Sequence, residues 1–274
     1  MVRIVERRGG IYCCKNTLFY WNLQNLHVYI AKQKANYYFC INQIHEKRIM
    51  KKIKLLYINF KNELRNGEIE LLRGAVLSKL NDAPVLFHNH VGDNFRYAYP
   101  LIQYKRIHKK ASILCVEAGV EVIGSLFAAA DFSFRLGERI VQMEIESVKA
   151  KQMIMQVWKT KFTYRINRWL PLNEENYAIY CQMESLIERY GFLQKKLIGN
   201  ILSMAKGLDV YFEEQVVCEI IEISTPYMFF YKGVRMMAFN ATFKTNVSLP
   251  EYAGLGKGVS LGNGILLKKT DKKD

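Results

Sequence analysis

Residues 51–60, KKIKLLYINF, set Ile53, Leu55 and Tyr57 on one face of an extended segment, the period of two that marks a β-strand. Downstream, Asn66-Gly67 makes a turn, and Glu68 to Leu80 forms an amphipathic helix whose Ile69, Leu72, Ala75, Val76 and Leu80 face inward. Asn81-Asp82-Ala83-Pro84 breaks that helix. VLFHNH (85–90) reads as a short strand, Gly92-Asp93-Asn94 as a turn, FRYAYPLIQYKRI (95–107) as a longer strand and SILCVE (112–117) as the next. Ala118 to Ala130 reads as a second helix, and Asp131 to Gln156 holds the return strands. The order β-α-β-β-α-β is the ferredoxin-like pattern.

The remaining chain repeats the scheme. KFTYRINRWLPL (161–172) is a strand, and Asn173 caps a long helical region that reaches Gly207 and breaks near Gly191. VVCEIIEIS (216–224) is a strand, followed by two more around Met228–Phe230 and Met236–Thr245, a glycine-rich segment, and a closing strand Ile265–Lys268. The expected fold is therefore α+β, two tandem ferredoxin-like (RRM-like) domains, at 50–148 and 149–274. Residues 1–49 differ from both. They carry eight aromatics, no sustained helical or strand period and an adjacent Cys13-Cys14 pair, and they read as an extension upstream of a natural start at Met50.

Lys and Arg number 40 against 25 Asp and Glu, a formal net charge of +15, while half the 274 residues are hydrophobic. That hydrophobic content excludes wholesale disorder, so the charge sits on a folded body and calls for a polyanionic partner, nucleic acid before membrane. Residues 1–49 hold eight cations against two anions, and the other 225 hold 32 against 23. The most apolar stretch, Val122–Ala130, is far shorter than the roughly 20 residues of a spanning helix. The six cysteines form no C-x-x-C pair, which reads as reduced thiols in a cytoplasm and not as a disulfide or zinc framework.

Two segments carry chemistry. His88 and His90 alternate with Asn89, so both imidazoles point to one face of a strand. Such a pair can act as general acid and base, as two metal ligands, or as ordinary polar groups on a wet face. Zinc lacks a third ligand at a suitable spacing, and the helix and downstream histidine of the metal-dependent HNH nucleases are missing. Around the pair lie Arg96, Tyr97, Tyr99, Gln103, Tyr104, Lys105 and Arg106, cations and aromatics suited to unpaired RNA, although alternating tyrosines also suit a packed sheet face. The second segment places Gly254, Gly256, Gly258, Gly262 and Gly264 around Lys257, a density that lets the backbone approach a phosphate. It is no Walker A loop, because Gly258 stands where Ser or Thr is required, and no Rossmann fingerprint, because only ten residues follow Gly264.

Paired ferredoxin-like halves ending in G-x-G-K-G-x-S-x-G-x-G resemble the repeat-associated RNA-binding superfamily of CRISPR systems. HNHVGDNFRYAYPLIQYK (88–105), after a helix and a proline turn, resembles the sixth Cas family of CRISPR RNA-processing endoribonucleases, in its His-x-His subtype. The resemblance runs from Met50 to about Lys269. It implies metal-independent cleavage of precursor CRISPR RNA within each repeat: the 2′-OH attacks the adjacent phosphate, leaving a 2′,3′-cyclic phosphate and a 5′-OH. It also implies that His88 and His90 are base and acid in either order, that Tyr97 orients the nucleophile or phosphate, and that Lys79 or Lys105 is an electrostatic partner. Gly254, Gly256, Lys257, Gly258, Gly262 and Gly264 would then hold the RNA backbone. No cofactor or metal is implied. The implied partners are CRISPR repeat RNA and other effector subunits, with no membrane, for a cytoplasmic monomer or homodimer. The rival reading is a non-catalytic repeat-RNA-binding subunit with the same fold.

Overall fold

In the computed structural model, strand β3 (Lys52–Glu63) is flanked on both sides, and its alternation explains why. Ile53 and Leu55 point to one side and are buried against the C-terminal lobe, whereas Ile58 and Phe60 point to the other and are buried under the N-terminal lobe's helices. The structure describes residues 2–7, 10–15, 51–79, 90–91, 94–95, 99–128 and 131–269, in two compact units, Met1–Ile49 and Met50–Asp274. In the first unit β1 (Val2–Arg7) pairs antiparallel with β2 (Gly10–Lys15), a hairpin that residue alternation had not signalled.

The second unit begins with β3 and α1 (Glu68–Ser78). Gly67, at φ 86°, makes the left-handed turn into α1, the conformation for which glycine carries no steric penalty. Glu68 then accepts the Arg65 N–H at 2.6 Å and both Arg139 donors, Nε at 2.8 Å and Nη2 at 2.6 Å. This forked pair holds the Glu68 carboxyl below the usual carboxylate range. One short pair, β4 (His90–Val91) with β5 (Asn94–Phe95), precedes β6 (Ile102–Ile107) and β7 (Lys110–Val116). The long strand expected over 95–107 is thus shortened. Pro100 cannot donate to a ladder, and β6 starts beyond it.

The second helix is two short ones, α2 (Ala118–Val122) and α3 (Gly124–Ala128), with buried Ile123 between them. A hairpin, β8 (Ser133–Leu136) with β9 (Arg139–Gln142), leads to β10 (Ile145–Ile154). The sheet order β10-β3-β7-β6, all antiparallel, is the ferredoxin-like arrangement. Strand β10 reaches Ile154, so the division drawn at 148/149 cuts a strand of this sheet, and the change of lobe falls at residues 155–156. IESVKAKQMI is largely exposed along its length, which leaves no apolar period to separate strand from linker.

The C-terminal lobe repeats the topology with one substitution. Strand β11 (Val157–Trp169), helices α4 (Glu174–Gln182) and α5 (Leu186–Gly207), β12 (Cys218–Ile223), the hairpin β13 (Tyr227–Tyr231) with β14 (Val234–Val247), and β15 (Ile265–Lys268) form a sheet in the order β12-β14-β11-β15. Where the second helix of the pattern belongs, between β14 and β15, the chain runs through the glycine-rich segment and a single 3₁₀ turn, Val259–Leu261. Asn173 caps α4 as expected, its Oδ1 accepting the Asn176 N–H at 2.8 Å. The break expected at Gly191 lies instead at 183–185, where Met183 and Ser185 are extended. Gly191 sits inside α5 with open space around it. A mid-helix glycine costs only about 1 kcal/mol, less than α5 recovers by burying Leu193, Leu197, Ile201 and Met204 along one side.

Candidate functional site

The glycine-rich segment is built into the core. Gly256, Gly258, Gly262 and Gly264 have φ of 89°, 70°, 74° and 65°, left-handed values that side chains with a Cβ resist. Space is also closed. A Cβ on Gly264 would lie 1.8 Å from the Leu255 carbonyl oxygen, and one on Gly256 would lie 2.9 Å from that of Leu170. A Cβ on Gly254 would meet the Asn263 carbonyl oxygen at 2.8 Å. Many of the loop's amides already have partners within the chain. Leu255 N donates to Gly264 O at 2.9 Å, Gly264 N to Arg168 O at 2.8 Å and Lys257 N to Leu170 O at 3.1 Å. Leu261 N and Asn263 N both donate to Gly258 O, at 3.0 and 3.3 Å. These glycines shape a rigid loop, and its exposed cation is Lys257.

A buried polar chain joins this loop to the N-terminal sheet. Gln103 uses all of its amide: Oε1 accepts from Gly254 N at 3.1 Å and from Lys105 Nζ at 2.9 Å, while Nε2 donates to Tyr99 Oη and to Pro100 O, each at 3.0 Å. Tyr99 Oη donates in turn to Gly254 O at 2.9 Å. Burial pushes the Tyr99 hydroxyl above its ordinary range, so it remains a donor. Gln103, Tyr104 and Lys105 were expected among RNA-facing groups, and the structure corrects this. All three are buried, at 0%, 1% and 0% exposure, because every position of β6 from 102 to 105 is covered. Burial lowers the Lys105 amine to about 7. Lys79, the other electrostatic candidate, pairs with Asp131 and lies 5.5 Å from the Phe134 ring centre. That pairing and the Ser133 N–H hold the Asp131 carboxyl down at about 2.

Of the catalytic candidates, His88 and Tyr97 lie outside the described residues. The backbone of His90 forms β4, opposite Phe95. Sequence reasoning singled out the glycine loop and missed the role of Gln103, which it grouped with the cations and aromatics suited to unpaired RNA.

The sheet order of each lobe and the glycine loop in place of the last helix define a tandem ferredoxin-like protein. The Cas6b N-terminal domain matches residues 51–154 and the Cas6b C-terminal domain matches residues 156–269; the chain belongs to the Cas6b family. Its fold is similar to a solved structure of Cas6b, with a TM-score of 0.71 and 27% identity over 80% of this chain and all of that one. It is also similar to a solved structure of the CRISPR RNA processing endoribonuclease Cas6b, with a TM-score of 0.63 and 26% identity over the same shares. An uncharacterized protein of Methanocaldococcus jannaschii is 36% identical over 103 residues, 38% of this chain and 69% of that relative. At the level of the family, the chain is a CRISPR RNA-processing endoribonuclease.

Proposed function

We propose that the chain cuts precursor CRISPR RNA within its repeats without a metal ion. The ribose 2′-OH attacks the adjacent phosphate, the 5′-oxygen leaves, and the products end in a 2′,3′-cyclic phosphate and a 5′-OH. His88 and His90 are the general base and acid, one taking the 2′-OH proton and the other protonating the leaving oxygen. Tyr97 orients the nucleophile or the phosphate, and a cation or N–H donor stabilises the charged phosphorane. Lys257, exposed on a loop that its glycines hold rigid, contacts the RNA backbone.

The observation that carries this reading is the match of both Cas6b domains, in order, across residues 51–269 that include the histidine segment and the complete glycine loop. The test is incubation of the full chain with CRISPR repeat RNA in EDTA. One cut per repeat ending in a cyclic phosphate is the expected result. His88→Ala and His90→Ala should each slow cutting by about 10²–10⁴-fold and leave RNA affinity within a few-fold. Tight binding with intact RNA would instead identify a non-catalytic binding subunit, and cleavage that EDTA abolishes would identify a metal nuclease.

A further inference from the structure

Strand β14 is longer than the sheet that holds it. Within residues 239–247 it pairs with β11 and β12, whereas residues 234–238 pair with β13 alone. The result is a two-stranded ribbon of five residue pairs, about 17 Å long at the usual rise of a strand. It turns at Lys232-Gly233, both left-handed, with φ of 50° and 77°.

The five residues of β13, Tyr227–Tyr231, are all aromatic or apolar, and alternation divides them between two faces. On one face the chain already occupies the rings. The Arg168 guanidinium carbon lies 4.7 Å from the Phe229 ring centre, and Tyr231 packs on the N-terminal core. Phe230 points the other way and is 67% exposed, with exposed Met228 on the same side. Arg235 is the partner of Phe230 across the ladder, and its guanidinium carbon lies 5.7 Å from that ring's centre. A single exposed apolar residue is ordinary, but an exposed ring that carries its own arginine is a platform on which unpaired bases stack.

Charge selects the occupant. Residues 223–250 contain no Asp or Glu, and Lys232, Arg235 and Lys244 lie among them. Among the described residues no ion pair joins Lys232 or Arg235 to a carboxylate. Covering the face with an apolar protein surface would bury these cations unanswered, whereas a phosphate backbone answers them.

We propose that the outer face of the β13–β14 ribbon binds one unpaired nucleotide of the RNA, its base stacked on the Phe230 ring and its flanking phosphates met by Arg235 and Lys232. The proposal rests on the RNA-processing reading above and adds a contact outside the histidine segment and the glycine loop. Every base has a π-face, so the platform tolerates sequence and requires only that the nucleotide be unpaired.

The full chain is titrated with labelled r(A)12 and with a fully paired RNA duplex, and the melting temperature and oligomeric state of each variant are recorded. Phe230→Leu keeps an apolar side chain and removes the ring. It should weaken r(A)12 binding by roughly tenfold, leave duplex binding within about twofold and melt close to wild type, because the ring is exposed. Phe230→Tyr restores the ring and should restore the affinity. Arg235→Gln should flatten the plot of log affinity for r(A)12 against log salt by about 0.7, one single-strand phosphate. Wild-type affinity for r(A)12 in Phe230→Leu, or an equal loss on r(A)12 and duplex, would overturn the proposal. So would a change of oligomeric state with RNA affinity retained, which would make the ribbon a contact between copies. Should Phe230→Leu fail to fold, an unchanged salt slope in Arg235→Gln overturns it. All of these leave cleavage of repeat RNA by the wild type standing, and failure of the wild type to bind or cut repeat RNA would instead overturn the proposed function.

Discussion

Replacing Lys105 with methionine tests the polar chain beneath the glycine loop. Lys105 is fully buried, its Nζ reaches Gln103 Oε1 at 2.9 Å, and burial lowers it from the ordinary 10.5 to about 7. Below pH 7 both folded and unfolded chains carry the proton. Between pH 7 and 10.5 only the unfolded chain does, so stability rises with pH throughout that window. Each pH unit in it contributes up to about 1.36 kcal/mol, so the folded chain gains about 2 kcal/mol from this lysine between pH 7 and 9. Methionine fills nearly the same length without a charge, and Gln103 Oε1 keeps the Gly254 N–H as its donor. Lys105→Met should therefore be more stable than wild type at pH 7, by several kcal/mol in order of magnitude, with the difference shrinking by about 2 kcal/mol at pH 9. Urea denaturation of both proteins at pH 7, 8 and 9 and constant ionic strength measures it, and every other titrating group cancels in the difference. If the two stability curves run parallel over that range, the amine titrates as an exposed lysine does and the buried network is wrong.

Lys257→Ala should weaken repeat-RNA binding and flatten the plot of log affinity against log salt by about 0.7–0.9, one phosphate contact, as read by titration at four salt concentrations. An unchanged slope would remove Lys257 from the interface. Gly264→Ala should cost more than about 4 kcal/mol or prevent folding, because its Cβ would lie 1.8 Å from a backbone oxygen at φ 65°. Gly191→Ala, inside α5 with open space around it, should stabilise by about 0.5–1 kcal/mol, and chemical denaturation of the pair reads both signs.

Where side chains alternate between two different environments, the sequence was readable. In β3 the shared face of Ile53, Leu55 and Tyr57 follows from alternation and packs on one core, and the Asn66-Gly67 turn and the Asn173 cap follow from local chemistry. Strand β10 was not readable in the same way, because it is exposed along most of its length and its identity comes from pairing with β3. Strand β6 fails for the opposite reason. Positions 102 to 105 are all covered, so Gln103 and Lys105, polar by composition, lie inside, and their own hydrogen bond together with the partners of Gln103 at Gly254, Tyr99 and Pro100 makes their burial tolerable.

The same distinction applies to the site. Five glycines around a lysine announced a phosphate loop, and backbone freedom was the right reason for their presence, but packing is what uses it. The left-handed turns at Gly256, Gly258, Gly262 and Gly264 let a short segment replace a helix and seat Gly254 against Gln103. A loop so constrained is a fixed surface rather than a flexible cradle, and its residues differ in whether packing projects or covers their side chains. Lys257 is the exposed one, and Asn263 is the buried one with an unanswered acceptor. Glycine density alone could not separate these two, because it does not tell which residues of the loop the packing covers.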